Sequence, residues 1–370
     1  MTNNVFQTLG LDGVINAAGK MTALGGSAQN ELVARAQADA AQRHVDIEAL
    51  RRRAGERVAV HTGAEAASIT PGAAAGIATS VAACITGSHL ENVLRVPDTE
   101  GLPRGVLLQA GHDINFGAAV TQMIRLGGGM PEVVGWVNSV PLTLLDQALA
   151  NRDDIAALLY VQSHHCIQEH MIPLEDCISA ARRHRVPVIV DAAAEEDLRH
   201  YIGLGADLVV YSGGKAIGGP TAGFIAGKKD LIAACELQQR GIGRAMKVGK
   251  EQIVGLLAAL DVYAGRDPSA DAARRDRVVG TLLRTLADVT PLRTFRKPDE
   301  AGRGIERVAL QRRDGGDIRE LVTFLAAGSP SIRTRNHHLD DGVALIDPRE
   351  LDDARAGIIA ERVRAFFQPN

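Results

Sequence analysis

Three places in the sequence hold residue types that could do chemistry together. The first is the apolar run PVIVD, which ends in the carboxylate of Asp191 and leads into AAAEED. The second is LVVYSGGK, where an apolar run delivers Ser212 and Lys215 into a turn that continues AIGGPTAGF. A lysine taken out of water loses charge and becomes a nucleophilic amine. Its neighbours Gly213, Gly214, Gly218 and Gly219 suit close backbone approach to a ligand better than a solvated loop tip. The third is TPGAAAG at residues 70–76, where small residues open a helix whose first N–H groups can bind a phosphate. Each also has an ordinary reading: Asp191 could cap a helix, Lys215 could be a surface amine, and Ala-rich helix starts are common. Together, an amine nucleophile about two dozen residues after a strand-end carboxylate, with an anion site upstream, are the protein parts that pyridoxal 5'-phosphate requires. The lysine would make the imine, the aspartate would keep the pyridine nitrogen protonated, and the helix start would hold the phosphate.

The elements that must position these groups follow from hydrophobic periodicity. Short Val- and Leu-rich runs at residues 105–109, 132–136, 156–162, 187–190, 208–211 and 222–226 are too short for helices and read as strands. Helical stretches lie among and around them, notably 46–63, 73–83, 174–184, 230–239 and 251–263. This alternation predicts a largely parallel sheet with helices on its faces, in which ligands bind at the carboxyl ends of the strands. The cluster Gly265-Arg266-Asp267-Pro268 breaks the pattern. Beyond it come helix (272–286), strand (305–311), helix (318–327), strand (343–346) and a final helix, a small α+β domain. We therefore expect a large domain over residues 1–267, including the N-terminal segment, and a small domain over 268–370. A chain of 370 residues is long enough for two cores.

The stretch SGGKAIGGPTAGFIAGKKDLI closely resembles the cofactor-lysine region of selenocysteine synthases (L-seryl-tRNA selenium transferases) and, nearest, their shorter D-glucosaminate-6-phosphate ammonia-lyase-like relatives. The likeness continues through INAAGKMTALGG, GAEAASITPGAAAG, VQSHH, PVIVDAAAE and RAMKVGKE, so that it spans roughly residues 10–265, with a looser echo in PSIRTRNHHLDDGVALIDPREL. The resemblance implies an α/β fold of the fold-type I, aspartate aminotransferase-like class. It places Lys215 as the Schiff-base lysine, Asp191 as the pyridine-nitrogen partner and Ser212 near the cofactor phosphate, with Ala73 and Ala74 as the phosphate cup. It further implies His112 stacked on the cofactor ring and Ser163 beneath it. His112 could instead be a hydrogen-bonded loop histidine, and Ser163 could cap the chain reversal. Arg335 is the candidate for the substrate α-carboxylate, because a guanidinium fork matches a carboxylate, with Arg333 as its rival. Arg244 and Lys247, with Lys250, form a basic cluster at helical spacing, either a solvated face or an anion site for a phosphate.

The reaction expected is an α,β-elimination: dehydrating deamination of a β-hydroxy amino acid or amino sugar acid to a 2-oxo acid and ammonia. Racemisation and aldol cleavage need the same lysine and aspartate and stay open. Selenium transfer to seryl-tRNA is disfavoured. The family pattern begins by about Gly13, which leaves no place for the tRNA-gripping N-terminal region. Gly214 stands where selenocysteine synthases carry an acid. In addition, 41 basic against 44 acidic residues give a charge of −3, so no nucleic-acid partner is expected. No metal is expected: Cys84, Cys166, Cys177 and Cys235 are scattered, and His164 and His165, being adjacent, would diverge on an extended chain. A cytoplasmic protein without membrane spans is expected, in a homodimer or larger even assembly by analogy.

Overall fold

Runs such as GVLLQ, IAALLYV and VIVD are apolar without alternation because the sheet they form is covered on both faces. The computed structural model describes residues 5–150, 152–300 and 302–368. They divide into two compact units: Gln29–Gly265, and the described residues up to Ala28 together with those from Arg266 onward. Numbered along the chain, strand β1 (Val14–Ala17) belongs to the second unit. Strands β2 (Ala66–Thr70), β3 (Gly105–Gln109), β4 (Met130–Val134), β5 (Ile155–Val161), β6 (Val188–Asp191), β7 (Leu208–Ser212) and β8 (Gly223–Gly227) belong to the first. The remainder, β9 (Leu292–Pro298), β10 (Glu306–Arg312), β11 (Ser331–Thr334) and β12 (Val343–Ile346), lie in the second.

In the larger unit the strand order is β2-β8-β7-β6-β5-β3-β4. Strands β3 to β7 are parallel, and β8 runs against both of its neighbours, so β2 points the same way as the parallel set. The carboxyl ends of β2, β3, β5, β6 and β7 therefore share one edge, where Thr70, Gln109, Val161, Asp191 and Ser212 end their strands. The helix Ala73–Thr86 follows β2 directly and packs across β5 to β8. It lies close: a Cβ added at Gly76 would come within 2.5 Å of Val210 Cγ1, which is why this position in GAAAG carries no side chain. Ile77, Val81, Leu159, Ile189 and Val210 form the core on that side of the sheet, and Leu158, Val190, Val209, Phe224 and Leu256 the core on the other.

In the smaller unit β12-β10-β9 form an antiparallel sheet. Val308, Leu310 and Ile346 share a core with Val278 and Leu282 of the helix Pro268–Thr285, Leu321 of Ile318–Ala327 and Ile359 of Asp353–Phe367. The chain break read at residues 265–268 is a helix start, with Pro268 in the first turn and the Asp267 carboxylate accepting the N–H groups of Ser269 (2.9 Å) and Ala270 (3.2 Å).

The placing of the N-terminal segment needs correction, because the described residues up to Ala28 group with the C-terminal unit rather than with the large domain. The cause is pairing: β1 runs parallel to β11, and the Asp347 N–H donates to Ala17 O at 2.8 Å. After β1 the chain turns back under the Asn16 side chain, which accepts from the N–H groups of Ala18 (3.0 Å) and Gly19 (3.1 Å). Gly19 has φ +84°, and a Cβ there would lie 2.7 Å from Arg349 Nη2 and 2.9 Å from Asp347 Oδ2. Gly19→Ala is expected to destabilise the protein by about 1–3 kcal/mol, from backbone strain and displacement of the Asp347–Arg349 pair. A urea midpoint equal to that of the parent protein would contradict this.

Candidate active site

The shared sheet edge brings together residues that lie far apart in sequence. Asp191 ends β6, paired on one side with Val161 and on the other with Val210, and is 6% exposed. One carboxylate oxygen accepts the Ala193 N–H at 3.1 Å, and no other hydrogen bond to this side chain is found among the described residues. Burial pushes its pKa above the ordinary carboxylate value, opposed by the positive charge of Lys215 and by the Ala193 N–H. Lys215 therefore acts electrostatically on Asp191, although 24 residues separate them (215 − 191). The lysine is half-buried and rides on a closed turn: Gly219 N–H donates to Gly213 O at 2.7 Å, Gly218 N–H to Lys215 O at 3.1 Å, and Gly213 N–H to Ala222 O at 2.7 Å. Ser212 is half-buried at the end of β7, beside Asp191 on β6.

The helix Ala73–Thr86 begins at the same edge with Gly72 as N-cap and no side-chain cap. Gly76 N–H returns to Gly72 O at 3.0 Å, and the N–H groups of Ala73, Ala74 and Ala75 have no side-chain acceptor among the described residues. An uncapped helix start of this kind favours an anion. A buried carboxylate with an uncommitted oxygen, a half-buried amine and an uncapped helix start are together the donor set that pyridoxal phosphate would use.

His112 follows β3 and is fully buried. Val161 N–H donates to Nδ1 at 3.3 Å, which fixes the tautomer, so that Nε2–H donates to Gln168 Oε1 at 3.2 Å. Burial lowers its pKa to about 4, so the ring is neutral at physiological pH. Its ring meets Tyr160 edge-on with centroids 4.5 Å apart. These contacts fix the ring at the carboxyl end of β3. Gln168, which the sequence reading passed over, ties this loop together by also donating to Val161 O at 3.2 Å. Nothing about a loop glutamine signals that role.

Ser163 caps the turn after β5, its Oγ accepting the His165 N–H at 3.2 Å. Because the chain turns there, the rings of His164 and His165 come together, with centroids 4.0 Å apart, instead of diverging as an extended chain would have them. Within either unit taken alone, no three potential metal ligands converge among the described residues.

The basic cluster is not a helical face. Arg244 lies in a 3-10 turn and Lys247 follows it, both exposed and without an ion-pair partner among the described residues. Lys250 opens the next helix and pairs with Glu251 at 2.5 Å. In the smaller unit, Arg333 is exposed on β11. Arg335 is 3% exposed and bridges to Leu345, two residues before Asp347. Its Nε and Nη2 are buried and have no hydrogen-bond partner among the described residues. Burial lowers its pKa to about 10, reinforced by Arg307 and Arg349 and opposed by Asp347 and Glu300.

Comparison with known proteins accords with this arrangement. A family model described as L-seryl-tRNA selenium transferase matches residues 14–279. A D-glucosaminate-6-phosphate ammonia lyase from Salmonella typhimurium is 42% identical over 100% of this chain and 99% of its own length. A 5'-C-glycyluridine monooxygenase-decarboxylase from a Streptomyces species is also 42% identical, over 94% of this chain and 88% of its own. Among solved structures, one of a D-glucosaminate-6-phosphate ammonia-lyase superposes with a TM-score of 0.90 at 42% identity, covering 99% of both chains. An aspartate aminotransferase from Thermotoga maritima superposes with a TM-score of 0.54 at 14% identity, over 98% and 93% of the two chains. The fold is the aspartate aminotransferase-like, fold-type I architecture that the motifs implied.

Proposed function

The chain belongs to the L-seryl-tRNA selenium transferase family, and from that premise we propose that it is a pyridoxal phosphate-dependent ammonia-lyase acting on a β-hydroxy amino acid or amino sugar acid. The observation that carries this reading is the buried Asp191 under the charge of Lys215 at the mouth of an uncapped helix. In this reading Lys215 holds the cofactor, Asp191 its ring nitrogen, and Ser212 with the N–H groups of Ala73 and Ala74 its phosphate. Bound there, the cofactor would supply an electrophilic aldehyde and a sink for the electron pair left when Cα loses its proton.

The protein's own part is proton handling and orientation. Released from the cofactor when the substrate's amine takes its place, the Lys215 amine would act as general base on the Cα proton. The ammonium so formed can return a proton to the departing β-oxygen. Loss of water across Cα–Cβ, followed by hydrolysis, gives a 2-oxo acid and ammonia. Asp191 would keep the opposing ring nitrogen protonated, and His112, held neutral by burial, is assigned the stacking place on the ring.

Arg335 is assigned the substrate's carboxylate, since a buried guanidinium with two uncommitted N–H donors calls for an anion. Exposed Arg244 and Lys247 are assigned a phosphate, of substrate or cofactor. An even homo-oligomer and a cytoplasmic location belong to the same reading; among the described residues no helix is long and apolar enough to cross a membrane. Purified holoenzyme given D-glucosaminate 6-phosphate, D-serine or L-serine is expected to release ammonia and a 2-oxo acid in equal amounts from at least one of them. Enantiomer exchange or aldehyde formation without ammonia would replace the proposal with racemisation or aldol cleavage. The Streptomyces relative, of the same percent identity over a shorter span, favours a second reading, oxidative decarboxylation. Oxygen uptake matched by carbon dioxide release would identify it.

A further inference from the structure

The smaller unit buries a charge cluster with one cation in excess. Arg307 on β10 is fully buried, and its guanidinium is wholly engaged with carboxylates. Nε donates to Asp347 Oδ2 at 2.9 Å, Nη2 to Asp299 Oδ2 at 2.8 Å and Nη1 to Glu300 Oε2 at 3.1 Å. Arg349 closes on Asp347 from its other side, with Nε to Oδ1 and Nη2 to Oδ2 both at 2.9 Å, and Arg303 does the same for Asp299 at 3.1 and 2.9 Å. The second oxygen of Glu300 accepts from His338 Nε2 at 2.9 Å, and His338 Nδ1 faces Asp341 at 3.1 Å. Three carboxylates, Asp299, Glu300 and Asp347, thus meet Arg303, Arg307, Arg349 and Arg335. The hydrogen bonds decide which guanidinium is left over, and it is Arg335.

We propose that Arg307 is a positioning residue for carboxylate recognition: by occupying Asp347 and Glu300, it leaves the Arg335 donors open to substrate. This rests on the assignment of Arg335 to the substrate carboxylate. Arg335 pairs through its backbone with Leu345, two residues before Asp347, and Asp347 and Glu300 both act electrostatically on it, so these are the carboxylates that surround it. If Arg307 is withdrawn, Glu300 Oε2 and Asp347 Oδ2 each lose a donor, and Arg335 is the uncommitted cation at hand. An intramolecular pair would then form where the substrate must bind, because each of these oxygens loses a charged donor that Arg335 can replace, while Arg349 keeps its hold on Asp347 and His338 on Glu300.

The test uses holoenzyme and two ligands that differ only in the carboxylate, serine (both enantiomers) and ethanolamine, with binding followed by the shift of the cofactor absorbance. Arg307→Lys, which keeps charge but cannot reach three carboxylates, is expected to weaken serine binding about tenfold, and Arg307→Met about thirtyfold or more. Ethanolamine affinity and cofactor absorbance should stay within about twofold, and in turnover KM should rise while kcat changes less than about threefold. Serine binding unchanged in Arg307→Lys, or serine and ethanolamine weakened together, would overturn the inference; should Arg307→Met fail to fold, the lysine variant decides alone. Arg335→Met is measured in parallel. Unchanged serine binding there would sink the carboxylate assignment itself. Weakened serine binding in Arg335→Met with none in Arg307→Lys would sink only the role of Arg307.

Discussion

Lys215→Ala is expected to lower turnover by at least about 10⁴-fold, because one side chain both anchors the cofactor and moves the Cα proton. The purified parent protein should carry an absorbance band near the visible edge, and borohydride should fix a pyridoxyl group on the peptide containing Lys215. The variant should lose both. The turn around Lys215 is closed by backbone hydrogen bonds, from Gly218 to Lys215 and from Gly219 to Gly213, so the substitution should leave the fold intact. A circular dichroism spectrum and urea midpoint close to those of the parent would show that the loss is chemical. A colourless parent protein in excess cofactor, or an alanine variant with more than about one per cent of parental activity, would remove the basis of the proposed function.

Asp191→Asn should lower kcat by roughly 10²- to 10⁴-fold while cofactor remains bound, since the amide cannot hold a proton on the ring nitrogen. The structural consequence runs in the opposite direction. The folded-state pKa of Asp191 is raised, mainly by burial, so the charged carboxylate is a cost to the cofactor-free fold. With a raised folded pKa, the native state holds its proton to higher pH than the unfolded chain. The contribution of Asp191 is therefore favourable below the unfolded value of about 3.9 and is lost as pH climbs through the higher folded value. At neutral pH the cofactor-free Asn variant should accordingly be as stable as the parent or more so. Loss of activity with no loss of stability would mark Asp191 as kept for chemistry. Equal losses of both would return it to the helix-capping role that its sequence position also allows.

Some of the fold was legible because its signal is local. The strands β3, β5, β6 and β7 are buried on both faces, so each appears as an apolar run bounded by polar or Gly-containing turns, and a polar residue at the end of each run or just past it marks the site edge. Strands β1, β9 and β11 gave no such mark. β1 and β11 are four residues each and pair with one another from opposite ends of the chain, whereas β9 is an outer strand whose Arg293, Arg296 and Lys297 leave it no apolar run. Assigning the N-terminal segment to the large domain failed for that reason. A resemblance can align residues 15–20 with a family motif without saying which unit they pack on.

The site divides along the same line. Lys215, Asp191 and the start of the helix Ala73–Thr86 follow from residue type and strand order, because strand ends of a parallel sheet converge wherever the intervening helices lead. The contacts of His112 and the closeness of His164 and His165 did not follow, since they depend on a loop that closes through Gln168 and on a turn at Ser163. Arg335 and Arg333 are equivalent in sequence and opposite in structure, one buried with uncommitted donors and the other exposed. Hydrophobic pattern and motif, being local, were enough for the sheet and for the strand ends that carry the aspartate and lead to the lysine. Which arginine remains without a partner depends on where every other buried charge has gone, a balance set by contacts among distant strands that only the folded chain possesses.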